Sequence, residues 1–426
     1  MPIDLDPLTG PDVDPDHDPR RAVLAAVKTP DVTDGELVQS LAELRRLTQT
    51  LGLSVMDCIT QNRDNFNPGT YLGSGKVADL KTAVTVHKAG WVILEHEVTP
   101  SQARNLEKET GASVMDRTAL ILEIFHRHAR SRAAKAQVEI VRLGYMAPRM
   151  RELGAGKDRQ RGGIGAKGAG ESGLELDRRK IRDRIAELNA QLESLQEEQN
   201  TQRARRQSLH RVALVGYTNA GKSTLMRALT ASDVYVADKL FATLDTTVRS
   251  LQPETRPRIL VSDTVGFINK LPHGLVAAFK STLDEALEAS LLVQVIDAAD
   301  PAFERQLAVT AEVLGEIGAG DVPRLLVFNK IDRAADEAAG NLRARWPEAV
   351  IMSAHRPADV GGLRDALIAF FDRHLVEDEL RIGYDRQELR GEIFAHCQVL
   401  EERYEDHAVV FRVRAAPAQL ARLRAA

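Results

Sequence analysis

Gly216-Tyr217-Thr218-Asn219-Ala220-Gly221-Lys222-Ser223-Thr224 follows a short apolar run, Val212-Ala-Leu-Val215, and precedes an amphipathic segment, Leu225–Thr230. That order reads as strand, glycine-bounded loop and helix start, with the spacing G-x-x-x-x-G-K-S. Glycines at 216 and 221 let the backbone curl so that successive N–H groups face one concavity, where phosphate oxygens accept from them. Lys222 brings a positive charge to the β- and γ-phosphates, and the Ser223 hydroxyl can ligate magnesium. The positive end of the following helix adds to the attraction.

Further stretches follow in the order a GTPase needs. Asp263-Thr264-Val265-Gly266 closes the apolar run Arg258–Ser262; Asp263 can hold magnesium through water, and the Gly266 N–H can sense a γ-phosphate. Asn329-Lys330-Ile331-Asp332 closes the run Arg324–Phe328. A carboxylate at Asp332 accepts from guanine N1–H and from the 2-amino group, two donors that adenine lacks. Lys330 would cover the base plane, and Asn329 would tie loops together. Ser353-Ala354-His355 follows the run Ala349–Met352 and can offer a backbone N–H to guanine O6. Between the phosphate loop and Asp263 lies Phe241-Ala242-Thr243-Leu244-Asp245, where a first switch belongs. Its Thr243 is the expected magnesium ligand, with Thr246 and Thr247 as rivals that spacing does not exclude. The ordered set specifies GTP with Mg2+, with Lys222, Thr243 and Gly266 at the reacting phosphate. Phe267 stands where many GTPases carry a glutamine that orients the attacking water, so slow intrinsic turnover is expected.

The apolar runs at 212–215, 258–262, 291–296, 324–328 and 349–352 are continuous, as in strands covered on both faces. Helical segments separate them, which predicts a doubly wound α/β domain over residues 209–374 with its ligand at the strand ends. Residues 20–118 read as a smaller α/β domain, with strands at Ala22–Val27, Leu53–Met56, Trp91–Leu94 and Ala112–Met115. Leu72-Gly-Ser-Gly-Lys76 lacks a first glycine and a final Ser or Thr, and reads as a helix-entry turn. Residues 119–208 change character. Leu120–Leu143 is expected to be one long helix and Leu174–Arg206 another, the second with a seam at Ile181, Ile185, Leu188, Leu192 and Leu195.

Gly154–Gly173 has eight glycines, so the two helices form an antiparallel hairpin with a pliable tip. From Arg127 to Gly170 there are eleven Lys and Arg against three Asp and Glu, a balance suited to a phosphate backbone. A solvated helix face or a dimerisation coil is the plainer alternative. Residues 375–426 suggest a small α+β appendage with strands at Ile393–Leu400 and Ala408–Val413. Met1–Asp18 carries six aspartates and reads, within a tail of residues 1–19, as solvated and disordered.

The net charge of -4 says little, because charge is strongly local. No run of eighteen apolar residues exists, so no transmembrane segment is expected. The first residues are acidic rather than basic and apolar, and the only cysteines are Cys58 and Cys397. A reducing cytoplasm fits.

On these residues the chain resembles the HflX family of translational GTPases, from about Ala22 to the C-terminus. The likeness extends to Ile59-Thr-Gln61, Tyr71-Leu-Gly-Ser-Gly-Lys76, Asp116–Leu122 and Leu174–Arg179. The tip departs from the family pattern at Ala166, Lys167 and Ala169. The resemblance implies binding to the large ribosomal subunit and ribosomal RNA, with no role for DNA. It implies splitting or rescue of stalled ribosomes under stress, with the hairpin reaching toward the peptidyl-transferase region. It also brings in ATP as a ligand of the N-terminal domain, where the sequence has no phosphate loop. A subunit-assembly GTPase, or a GTP-switched coiled-coil scaffold with a protein partner, is the alternative.

Overall fold

The structure, a computed structural model, describes residues 17–154, 173–204, 210–231, 240–241, 246–270, 275, 285–373 and 375–425. The acidic tail up to Asp16, residues 155–172 of the glycine-rich tip expected over Gly154–Gly173, and Ala242, Thr243, Leu244 and Asp245 lie outside these residues. The chain divides into two units, one built on residues up to Ser194 and one on most of the remaining chain. Among the described residues no helix is long and apolar enough to cross a membrane.

In the first unit β1 (Asp18–Lys28), α1 (Asp34–Thr50), β2 (Ser54–Asn62), α2 (Ser74–His87), β3 (Ala89–Leu94), α3 (Pro100–Thr110) and β4 (Ser113–Asp116) alternate. The four strands form one parallel sheet in the order β2-β1-β3-β4. Local chemistry fixes the helix starts. Thr33 and Glu36 make a capping box on α1, and Thr99 and Gln102 make another on α3, where Pro100 opens the first turn. Leu72–Lys76 is the turn into α2: Gly73 caps that helix without a side-chain bond, and its N–H donates to Gln61 Oε1 at 2.9 Å. Val23, Ala25 and Val27 pack with Leu72, Val77, Leu80, Val84 and Leu106, which puts α2 and α3 on one face of the sheet. Asp18 begins β1, its N–H donating to Lys88 O at 2.7 Å, so the expected tail ends before it.

The single helix expected over Leu120–Leu143 is two, α4 (Arg117–His128) and α5 (Arg132–Gly154). Ala129 turns extended, with ψ 118, and Ser131 Oγ accepts the Ala134 N–H at 3.0 Å. An N-cap serine therefore restarts the helix three residues after the first one ends. Asp116 caps α4 through Ala119 N–H, while its other oxygen receives Tyr145 Oη (2.8 Å) and Arg149 (3.1 Å) from α5. One buried carboxylate thus joins sheet end, α4 and α5. Helix α6 (Gly173–Ala204) packs on α5 through Ile181 and Leu188 against Ala136 and Leu143, with Ile185 and Leu192 beside them. Arg184 and Glu139 form an ion pair across this contact at 3.0 Å.

The second unit holds a six-stranded sheet in the order β10-β9-β8-β5-β7-β6. Its strands are β5 (His210–Gly216), β6 (Thr247–Ser250), β7 (Ile259–Asp263), β8 (Leu291–Asp297), β9 (Arg324–Asn329) and β10 (Val350–Ile351). All pairs are parallel except β6 with β7, and this short antiparallel edge strand has no apolar run to announce it. Helices α7 (Lys222–Thr230) and α10 (Pro357–Asp372) cover one face with Leu225, Leu229, Leu363 and Leu367. Helices α8 (Phe303–Glu316) and α9 (Ala338–Arg345) cover the other around Phe328. Because β5, β7, β8 and β9 run parallel, Gly216, Asp263, Asp297 and Asn329 all end at one edge.

Beyond it, β11 (Val376–Gly383), β12 (Gln398–Glu405) and β13 (Ala408–Ala415) form an antiparallel sheet in the order β11-β13-β12. The expectation of a strand over Ile393–Leu400 is corrected: Ile393 is fully buried on α11 (Gln387–His396), and the strand starts at Gln398. The unexpected β11 is half charged, at Glu377, Asp378, Glu379 and Arg381, and buries only Leu380 and Ile382. With α12 (Pro417–Ala425), α11 covers one face of the sheet. The other carries ion pairs Glu377–Arg414 (3.6 Å), Glu379–Arg403 (2.8 Å), Glu401–Arg412 (3.6 Å) and Arg381–Glu405 (3.0 Å).

Candidate functional site

Gly216 ends β5 with φ +143, where a Cβ would overlap the Val295 carbonyl oxygen, so the chain can turn there only as glycine. Tyr217, Thr218, Asn219 and Ala220 form the loop, and Gly221 (φ +99) leads into Lys222, Ser223 and Thr224 on the first turn of α7. Lys222 is buried, its Nζ donating to Gly216 O (3.0 Å) and Tyr217 O (2.9 Å). Burial pushes its pKa down from 10.5 to about 8; Asp263 opposes that shift and Lys330 adds to it. The hydrogen bonds that the fold gives this buried ammonium go to carbonyl dipoles, and burial outweighs the Asp263 carboxylate, so the site is short of negative charge, a need that phosphates would meet. The buried Thr218 hydroxyl, without a hydrogen-bond partner among the described residues, fits the same ligand.

Asp263, fully buried at the end of β7, accepts from Ser223 Oγ at 2.7 Å. A hydroxyl and a carboxylate side by side are hard oxygen donors, the set that suits magnesium. Thr264 Oγ1 donates to Leu214 O at 2.7 Å, anchoring the next residues to β5. Val265 is buried, and a Cβ on Gly266 would lie 2.8 Å from Thr218 Cα and 3.0 Å from Lys222 Nζ. Glycine there brings the main chain against the lysine amine. Phe267 is 2% exposed, and its backbone pairs with the phosphate loop: its N–H donates to Gly216 O (3.1 Å) and its carbonyl accepts from Thr218 (2.7 Å). The Tyr217 hydroxyl adds a third tie by accepting the Asn269 N–H at 2.7 Å. Of the expected first switch, Phe241 is described, buried with φ +57.

The residues expected at the base converge from two strand ends. Asn329, 1% exposed, donates from Nδ2 to Ala220 O (2.9 Å) and accepts at Oδ1 from Ala354 N–H (2.9 Å). One side chain therefore laces the phosphate loop to the 353–355 loop. Lys330 stands in the left-handed region with φ 62, its Nζ donating to Asn219 O at 2.7 Å. Ile331 and Asp332 open a short 3-10 turn. The Ser353 hydroxyl donates to the Asp332 carboxylate and holds it below the usual carboxylate range. An exposed, ionised acceptor is what a base with adjacent N–H donors requires. His355 N–H donates to Ser353 Oγ at 3.3 Å, completing the loop.

Two residues outside the motifs belong to the same arrangement. Asp297 at the end of β8 accepts from Lys330 Nζ at 2.8 Å, and Asp359 on α10 accepts the Ser353 N–H at 2.8 Å. A lone aspartate after an apolar run carries no spacing signal; only position at the end of a central strand could have marked Asp297.

Comparison with known proteins assigns residues 38–126 to a family described as GTP-binding GTPase N-terminal and 128–206 to GTP-binding GTPase Middle Region. Residues 211–330 match a family described as 50S ribosome-binding GTPase. GTPase HflX of Gluconacetobacter diazotrophicus is 53% identical, covering 95% of this chain and 97% of the relative. GTPase HflX of Escherichia coli is 39% identical over 90% and 91%. A GTP-binding protein from Sulfolobus solfataricus, crystallised with GDP, is similar at 24% identity and a TM-score of 0.45, covering 83% of this chain and 99% of that one.

Proposed function

The chain belongs to the HflX family of GTPases, and from that premise we propose that its GTP hydrolysis serves the ribosome: in the cytoplasm it binds the large subunit and splits or rescues stalled ribosomes. The observation that carries this reading is the likeness of residues 211–330 to a family described as 50S ribosome-binding GTPase. The excess of eleven basic over three acidic residues from Arg127 to Gly170 supports RNA as the surface met. In this reading residues 119–208 reach the RNA and 209–374 hold the nucleotide.

The nucleotide's phosphates sit on the loop from Gly216 to Thr224, with Lys222 as counter-charge and the base against Asp332. Magnesium fits beside Ser223 and Asp263, with Thr243, Thr246 or Thr247 as a further ligand; once bound it neutralises charge on the phosphates. The chain's own residues do the rest. Lys222 keeps its ammonium against the β- and γ-phosphates, and the Gly266 main chain reports whether a γ-phosphate is present. Phe267, buried and paired to the loop through its backbone, cannot orient water. Another group must orient it; in this reading a partner supplies that group, and hydrolysis by the free protein is slow.

Two measurements test the proposal. Single-turnover GTP hydrolysis should rise at least about tenfold on adding large subunits, the direction expected when a partner completes a GTPase site. Mature ribosomes sedimented with the protein and a non-hydrolysable GTP analogue should appear as separate subunits. A fast rate that subunits leave unchanged, together with intact ribosomes, would refute the reading.

A further inference from the structure

Asp297 belongs to none of the nucleotide motifs, yet it is tied to them more closely than some of their members. It ends β8 and pairs with Asn329 across the sheet, so its Cα is fixed by the strand ladder. Its Oδ1 accepts the Ala299 N–H at 3.0 Å, which sets the carboxylate plane. Its Oδ2 accepts from Lys330 Nζ at 2.8 Å, and the same amine donates to Asn219 O at 2.7 Å. The two side chains are only 15% and 17% exposed, unlike the surface pairs that contribute little. Lys330 and Asn219 both hold positive φ, 62 and 61. The bridge therefore joins two strained turns, one at the base and one at the phosphates.

We infer that Asp297 is a positioning residue for the guanine nucleotide: it fixes the Lys330 ammonium on the phosphate loop, so that the lysine methylenes lie ready for the base and the loop is held closed. This rests on the reading of the site as a guanine-nucleotide site. An unclamped lysine has four rotatable bonds to order each time a nucleotide arrives. With the amine anchored at both Asp297 and Asn219, that ordering is complete beforehand, and release of nucleotide must disturb base and phosphate contacts together.

A simpler electrostatic view predicts the opposite sign. Removing a carboxylate makes the site more positive, which favours phosphate and would slow nucleotide release. The experiment separates the two. N-methylanthraniloyl-GDP is loaded on the full chain and chased with excess GDP, and its dissociation is followed by fluorescence. In Asp297→Asn the dissociation rate should rise about tenfold, the scale of one hydrogen bond to a charged group. In a Lys330→Met background, which keeps an apolar stem but no amine, the same change should have less than about a twofold effect, because coupled residues are not additive. Asp297→Ser, which retains an oxygen for the Ala299 N–H, gives the same test should Asp297→Asn fold poorly. An unchanged or slower rate, or an equal factor in both backgrounds, overturns the clamp. A parent chain that retains no labelled GDP would instead remove the nucleotide-site reading, and the clamp with it.

Discussion

Replacing Asn329 by alanine should cost nucleotide affinity by unlacing the two loops that its side chain joins. The side chain is 1% exposed and makes two 2.9 Å hydrogen bonds, from Nδ2 to Ala220 O and to Oδ1 from Ala354 N–H. Alanine leaves a buried carbonyl and a buried N–H without partners, each a penalty of about 1–3 kcal/mol. Part of that cost falls on the ligand-free fold, because both loops lose a tie. If about 2–4 kcal/mol falls on binding, GDP should bind roughly 30- to 1,000-fold more weakly. Asn329→Asp provides the control: it can still accept from Ala354 but sets a carboxylate oxygen against the Ala220 carbonyl, so it should be no better than alanine. Equilibrium titration with a fluorescent GDP analogue, with melting measured in parallel, reads both effects. An alanine variant that binds GDP within about threefold of the parent would show that the phosphate loop holds its shape without the lacing, well below one buried hydrogen bond.

Asp332→Asn should weaken GTP and favour a xanthine nucleotide, whose 2-oxo group accepts from the new amide; unchanged GTP affinity in competition titrations would refute the assignment. Lys222, with its pKa lowered from 10.5 to about 8 by burial, gives the site a pH dependence. Between those values the unfolded chain binds more protons than the folded one, so the ligand-free protein gains stability as pH rises through that window. Phosphates restore the charged form, so GDP binding should take up little proton near pH 7 and approach one near pH 9. Calorimetry in buffers of different ionisation enthalpy checks this, and zero uptake near pH 9 would contradict it. Replacing the 155–172 tip by a short neutral turn should leave GDP affinity intact, weaken subunit binding, flatten its salt dependence and abolish splitting. Splitting equal to the parent's would make the tip a linker only.

The phosphate loop and the buried strands were legible because their physics is local. A turn that only glycine can make, and a strand buried on both faces, each leave a mark within a few residues. Asn329 and Asp332 were legible for the same reason, since they share one four-residue pattern, Asn329-Lys-Ile-Asp332, set directly after an apolar run. What escaped depends on neighbours distant in the chain. Asp297 and Asp359 matter because separate loops converge on them. The break at Ala129–Ser131 falls among residues compatible with a helix, and one serine is its only signal. Strands β6 and β11 lie on sheet edges, where polar residues are admitted and the apolar pattern fades. Ile393 belongs to a helix because the sheet beneath offered its packing partner, which no pattern in residues 393–400 contains.

The open face of the C-terminal sheet bears on how this chain approaches a polyanion. Each of its arginines has a glutamate within 4 Å, as in the Arg412–Glu401 and Arg403–Glu379 pairs. At a distance of about one Debye length, roughly 8 Å in physiological salt, such a mosaic presents almost no field. A phosphate reaching Arg412 also meets Glu401, so few counterions would be released by its arrival. Long-range attraction to a polyanion would have to come from elsewhere in the chain, and any contact made by this face would rest on shape and be largely indifferent to ionic strength.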